Sequence, residues 1–174
     1  MTAAAVEAGA VAPGVGRRLA CFLYEGLLLF GVVAIAALVY TLLFRQHDAV
    51  EGRFVMMALM FLVMAAYFVW FWCKSGQTLA MKSWRLRLVT ADGRGLSWPR
   101  AFVRYLLCWV WVLPPLSFAH FAGLQSAWAA LGLLTLWIMV YAALAWLHPQ
   151  RQFWHDAACG TRLVHWHLPA GPRS

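Results

Sequence analysis

Charge is scarce in this chain of 174 residues: lysine, arginine, aspartate and glutamate make up 11% of it, against about 25% in a soluble domain. Six residues are acidic, beside fourteen lysines and arginines. With so few charges and 64% hydrophobic residues, a soluble globule could not hide the apolar surface, which argues against an ordinary soluble enzyme. Catalytic signatures are missing as well. There is no G-x-S-x-G, H-E-x-x-H, phosphate-binding G-x-x-x-x-G-K or dinucleotide-binding G-x-G-x-x-G, so no enzyme activity and no cofactor are expected. Cysteine occurs four times but never as C-x-x-C, which removes a zinc ribbon and a dithiol redox centre from consideration. The G-x-x-x-G packing motif is also absent. Helices must therefore pack through other small residues, such as Gly26, Gly31 and the Ala34, Ala36, Ala37 group.

What the chain does have is apolar length and aromatic rings. Aromatics are 16% of it, including eleven tryptophans, the residues enriched where a membrane meets water. A hydrocarbon core about 30 Å thick is crossed by about 20 apolar residues in a helix. Residues 19–44 are apolar apart from Glu25, and residues 54–73 carry no charge. From 105 to 147 no formal charge occurs, a run of about two spans, with Pro114-Pro115 and Gly123 to Ser126 supplying the break. Spans three and four are therefore placed at 101–122 and 126–147. Because the double proline falls inside the third run, a kinked or shortened helix is expected there, with a re-entrant segment as the alternative.

Orientation follows from the basic flanks, since cytoplasmic flanks are enriched in lysine and arginine. With four spans, the N-terminus, the second connection and the C-terminus share a side that carries twelve basic residues, against Arg45 and Arg53 opposite. Both termini are expected in the cytoplasm. The formal charge of +8 then faces anionic lipid head groups rather than nucleic acid. All four cysteines fall at or near cytoplasmic ends, where no disulfide is expected. Arg17-Arg18 precedes an apolar run too long for a signal peptide, so the first span is expected to stay in the mature protein. Residues 1–16, rich in Ala and Gly, are expected to form a disordered leader.

Between spans two and three, Arg85-Leu-Arg-Leu-Val-Thr90 alternates polar and apolar like a half-buried strand. Asp92-Gly93 signals a turn and Leu96-Ser97-Trp98 a short return, which together predict a β-hairpin against the membrane surface. Pro99 suits the first turn of the next helix, with Ser97 or Trp98 at the cap. After the last span, residues 148–164 read as an amphipathic segment. Phe153 and Trp154 would dip into the interface while Arg151, His155 and Asp156 stay polar. His155-Asp156 is a weak dyad and His165-Trp-His167 a weak metal fragment, since no third ligand of fitting spacing appears. No metal is expected.

Glu25 is the acidic residue inside a span, about 9 Å below the start of the first helix. An ionised carboxylate at membrane depth costs about 2.5 kcal/mol or more, so it must face the bundle, pair or carry a proton. Arg18 lies seven residues earlier on the same helical face, and Arg104 about one turn into the third helix from the same side. Two readings stay open: a structural ion pair, or a proton or ion site.

These residues resemble the RDD family of small bacterial membrane proteins, named for one arginine and two aspartates. Arg17-Arg-Leu-Ala-Cys-Phe-Leu-Tyr-Glu25 is similar to that family's opening R-R-L-A-x-F-x-x-D. Gly76-Gln-Thr-Leu-Ala-Met-Lys82 is similar to its G-Q-T-x-G-K segment, and Arg151-Gln-Phe-Trp-His-Asp-Ala-Ala-Cys-Gly-Thr161 to its closing R-x-x-x-H-D-x-x-x-G-T. The resemblance implies that the family arginine is Arg18, the first aspartate Glu25 and the second Asp156, while Arg104 stands where members often have an arginine before an aromatic. Glu25 departs from the family aspartate by one methylene, and Ala80-Met81 replace Gly-Lys. Transport of undefined ligands and sodium–proton exchange are what the family implies.

The expected protein is all-α, with four transmembrane helices and a short cytoplasmic β-hairpin between helices 2 and 3. Residues 17–164 form the membrane domain and 165–174 a tail. Arg18 or Arg104, with Asp156, is expected to form a polar cluster at the cytoplasmic mouth. One function is a small transporter or ion–proton exchanger using Glu25, Arg18, Arg104 and Asp156, with a second copy of the chain completing it and a small ion or solute as cargo. The other is a non-transporting scaffold whose basic face binds lipid head groups or a partner.

Overall fold

The computed structural model describes residues 13–44, 52–147 and 152–165. The helices are α1 (Val15–Phe44), α2 (Arg53–Lys74), α3 (Leu79–Ser83), α4 (Trp98–Cys108), α5 (Leu113–Phe121), α6 (Ala127–Leu144) and α7 (Trp154–Ala158). The strands are β1 (Leu86–Thr90) and β2 (Thr161–His165), and single 3-10 turns extend α4 over Trp109–Trp111 and α6 over Ala145–Leu147. Three helices, α1, α2 and α6, are long and apolar enough to cross a membrane. Leu27, Phe30, Leu42, Leu62 and Leu136 stand fully outward on them, a surface that water would not tolerate and hydrocarbon accepts. The expected leader, residues 1–12 of it, lies outside the described residues, as do Arg45, Arg151 and the tail beyond His165. Residues 15 and 16 are already helical.

The third apolar run is broken. Trp98–Trp111 and Leu113–Phe121 meet at Val112 with a bend of 42°. Pro114 and Pro115 explain the break, because neither can donate a backbone N–H to the preceding turn. The carbonyl of Val110, which an N–H at position 114 would have taken, instead accepts from the Trp137 indole of α6 at 2.9 Å. That bond removes a polar group that hydrocarbon could not satisfy. The start of α4 follows the sequence signal: Ser97 is its N-cap and Pro99 sits in the first turn.

The expected hairpin is corrected by the pairing. β1 forms, but its antiparallel partner is β2 near the C-terminus, with Leu86 opposite His165, Leu88 opposite Leu163 and Thr90 opposite Thr161. The turn after β1 does close, with Thr90 N–H donating to the Arg94 carbonyl at 2.9 Å. Pairing stops there because Trp98 already belongs to α4 and Pro99 has no N–H for a ladder. Both outer edges are covered. Leu88 N–H donates to the Gly76 carbonyl at 2.7 Å, and Leu163 N–H donates to the Gln152 side chain at 3.2 Å, leaving little edge for another chain.

Two apolar clusters tie the sheet and the C-terminal segment to the helices. Ala65, Val69 and Trp72, spaced by four and three on α2, pack with Ala101 and Tyr105 of α4, with Met81 of α3 and with Leu86, Leu88 and Leu163 of the sheet. The second cluster joins Trp111, Tyr141, Ala142, Ala145 and Phe153, with Trp111 edge-on to Tyr141 at 4.7 Å and to Phe153 at 5.1 Å. The C-terminal segment is thereby folded against α4 and α6. His155 and Asp156, expected to stay in the polar layer, are buried, while Trp154 remains half exposed. What draws the pair in is a partner on α4.

Candidate functional site: a buried cluster of charge beside an apolar cavity

Spacings of three and seven residues put Arg18, Cys21 and Glu25 on one face of α1. That is the buried face. The three are 3%, 6% and 7% exposed, whereas Leu23 and Leu27 alongside stand open.

Glu25 is held by neutral donors. The Tyr67 hydroxyl of α2 donates to Oε1 at 2.8 Å, and the Thr78 hydroxyl donates to Oε2. Thr78 is also the N-cap of α3, its oxygen accepting from Met81 N–H at 3.2 Å. The residue that starts α3 is thus the one that anchors the carboxylate. Arg18 and Arg104 are the partners that the sequence suggests for Glu25. The described residues instead hold one arginine–carboxylate ion pair, Arg104 with Asp156.

That pair joins α4 to α7. Arg104 Nη2 lies 2.6 Å from Asp156 Oδ1, and Nε donates to the same oxygen at 2.9 Å. The guanidinium also covers the Trp72 ring at 4.2 Å, a cation–π contact that desolvation strengthens. Burial disfavours charge on Asp156, but Arg104, with His155 and Arg18 further off, overcomes it and holds the carboxyl below its ordinary range. His155 responds in the opposite sense. Burial pushes its pKa down to about 4, and the pull of Asp156 does not restore it. The ring is therefore neutral at pH 7. Its Nδ1 lies 3.0 Å from the Tyr141 hydroxyl and its Nε2 3.5 Å from Asp156 Oδ1. The Tyr141 oxygen accepts His155 backbone N–H at 3.2 Å, so its own proton suits Nδ1 and leaves Nε2–H facing the carboxylate.

Arg18 sits across from this pair, its guanidinium 5.3 Å from the Phe153 ring centroid. Between α1, α2, α4 and the C-terminal segment is a cavity of about 370 Å³, within the range of about 300–1,000 Å³ common for small-molecule sites. Arg18, Glu25, Thr78, Arg104 and His155 line it. Of the four expected site residues, Arg18, Glu25 and Arg104 share this wall, and Asp156 lies behind Arg104. Tyr67, Thr78 and Tyr141 were missed. Thr78 stands in the Gly76-Gln-Thr block, which gives it a sequence signal; Tyr67 and Tyr141 are each the single tyrosine of an apolar helix and have none. Among the described residues, no cluster of histidine, cysteine, aspartate and glutamate could hold a metal ion.

Apolar helices of membrane-crossing length, a buried cluster of charge and a lined cavity define a helical integral membrane protein. The chain belongs to the RDD family, whose model matches residues 12–160. No curated protein and no solved structure matches it.

Proposed function

We propose that this protein is a small inner-membrane transporter in which Glu25 takes up and releases the coupling proton. The observation that carries the reading is the state of that carboxylate. It lies on the wall of a cavity of about 370 Å³ and is bonded to two hydroxyls. A proton can be exchanged there without breaking an ion pair, and a carboxylate at membrane depth is a functional site by default. In this reading α4 and α5 together make a fourth, discontinuous span, of the kind transporters place around a cargo site. Both termini are cytoplasmic, and a second copy of the chain supplies the other half of a pathway too small for one.

Proton flux in vesicles of purified protein tests it. Glu25→Gln keeps size and hydrogen bonding but cannot titrate, so flux is expected to vanish while the protein inserts and folds. Glu25→Asp is expected to keep partial flux with a shifted pH profile. Full flux in Glu25→Gln would overturn the proton role. The reading left standing would then be the scaffold, which the exposed Lys82, Arg85, Arg94 and Arg100 around β1 favour, since a basic face attracts anionic head groups.

A further inference from the structure

The basic and acidic groups of the cavity are held apart. Arg18 and Arg104 are engaged with the C-terminal segment, Arg18 against the Phe153 ring and Arg104 on Asp156, which balances its charge. Glu25 is about 10 Å further along α1 than Arg18, seven residues at 1.5 Å each. Among the described residues no lysine, arginine or histidine forms an ion pair with it. Its bonds come from the Tyr67 and Thr78 hydroxyls. These are dipoles, and they leave a full negative charge to be balanced whenever the carboxyl ionises.

The surface that shares the cavity with this carboxylate is aromatic. Seven rings line it. Four of them, paired one turn apart on α2 and at the end of α4, form a continuous wall: Phe68 lies 5.0 Å from Trp72 and 6.1 Å from Tyr105, and Tyr105 lies 6.2 Å from Trp109. The Tyr67 ring, whose hydroxyl bonds Glu25, is 5.3 Å from Phe68 and joins the wall to the carboxylate. Ring faces attract cations, tryptophan most strongly, as the Arg104 guanidinium 4.2 Å over Trp72 shows. A sodium-sized ion could not use this wall. Ring carbon does not replace a water shell, and no group of three histidine, cysteine, aspartate or glutamate side chains is gathered among the described residues to do so. An anion would meet the Glu25 charge, and a neutral molecule would leave that charge unbalanced. The ammonium of a phospholipid would bring its phosphate to the same place. A free organic cation, its charge spread over apolar groups, suits both the carboxylate and the rings.

We infer that the cavity binds a monovalent lipophilic organic cation, of the quaternary ammonium or phosphonium type, with its charge at Glu25 and its apolar groups against Phe68, Tyr105 and Trp109. Cation and proton then occupy one carboxylate in turn, and the charge of the site is the same with either. The inference rests on the transport reading in one respect, that this cation is the cargo; as a binding site it stands on the geometry. The other ionisable groups around Glu25 hold their state between pH 5 and 7. Cys21 one turn earlier on α1, and Tyr67, Tyr105 and Cys108 from α2 and α4, ordinarily lose their protons above about pH 8. The His155 ring, its pKa pushed down to about 4, is neutral across that range, and Arg18 and Arg104 stay charged.

The test is equilibrium dialysis of labelled tetraphenylphosphonium, a cation that cannot lose its charge, against purified full-length protein in maltoside micelles, with protein-free micelles as the blank for partition. Binding is expected to saturate, to weaken severalfold as pH falls from 7 to 5, and to be displaced by unlabelled phosphonium but not by triphenylphosphine oxide or sodium chloride. Glu25→Gln is expected to weaken it at least tenfold and to remove the pH dependence, with thermal unfolding unchanged, whereas Glu25→Asp keeps the charge and is expected to retain binding. Trp109→Leu keeps apolar bulk without a ring and is expected to weaken binding severalfold while the pH dependence stays. Binding that never exceeds the micelle blank overturns the site. Equal binding by wild type and folded Glu25→Gln overturns the role of the carboxylate, and so does, should that variant unfold, a wild-type affinity unchanged between pH 5 and 7. Unchanged affinity in Trp109→Leu overturns the aromatic wall. Equal displacement by triphenylphosphine oxide overturns the need for charge, and displacement by sodium the choice of an organic cation. Glu25-dependent proton flux without saturable phosphonium binding would refute the cation while sparing the transporter. Saturable binding without phosphonium-driven proton release from vesicles would refute the transporter and support the site.

Discussion

Asp156→Ala removes the carboxylate that neutralises Arg104 and leaves a guanidinium buried between Trp72 and Cys108 with no counter-charge. Both partners are almost fully enclosed, so water cannot take over the lost bonds. Breaking a buried pair from one side costs about 3–5 kcal/mol. Removing both charges at once costs far less, because the desolvation they demand goes with them. Adding Arg104→Met to Asp156→Ala is therefore expected to recover most of the loss, leaving a coupling of more than about 2 kcal/mol. Denaturant unfolding in mixed micelles, followed by tryptophan fluorescence, gives the four corners of the cycle. Cys159, one turn beyond Asp156, adds a local readout: its reaction with a thiol reagent is expected to speed up in Asp156→Ala as α7 and β2 loosen from α4. A cost below about 1 kcal/mol for Asp156→Ala, or a double variant as unstable as the sum of the singles, would refute the view that this pair clasps the C-terminal segment to the bundle.

Gly76 adopts φ +70 and an added Cβ would lie 2.7 Å from the Leu88 carbonyl oxygen, so Gly76→Ala is expected to cost about 1–3 kcal/mol. Gly160→Ala, at φ +60 with open space around it, is expected to cost less in the same assay; equal losses would count against the close approach. Acid should loosen the clasp. His155 is neutral and buried with a folded pKa of about 4 against 6.5 unfolded, so the unfolded state binds the extra proton. The contribution is full above pH 6.5 and is lost as pH falls toward 4, by an amount on the order of 3 kcal/mol. Asp156, held low, loses its contribution in the same direction as pH falls further. His155→Gln is expected to flatten stability between pH 6.5 and 4, and an unchanged slope would show that another group titrates. For orientation, a membrane-impermeant thiol reagent is expected to spare Cys159 in intact cells and label it after lysis; labelling from outside would reverse the topology.

The membrane class, the positions of the apolar helices, the polar stripe on α1, the Ser97 and Pro99 start of α4 and the interruption near Pro114-Pro115 are legible in the sequence. Each depends on a quantity that a few neighbouring residues set by themselves: apolar length against bilayer thickness, helical spacing, or a missing N–H. Partner choice across the chain is different. β1 accepts any strand whose backbone can reach it, and the nearer candidate at Leu96–Trp98 loses to one more than seventy residues away because Pro99 and the start of α4 take its backbone. Glu25 follows Arg17 and Arg18 closely in the sequence, yet the groups that bond it are hydroxyls 42 and 53 residues distant. Charge attracts charge at any separation and so is easy to anticipate, whereas a hydroxyl bonds only at contact and carries no periodic signal. Which guanidinium takes Asp156, and whether His155 is buried, are fixed only when α4, α6 and α7 close on one another, since burial is a property of the packed assembly and of no single segment.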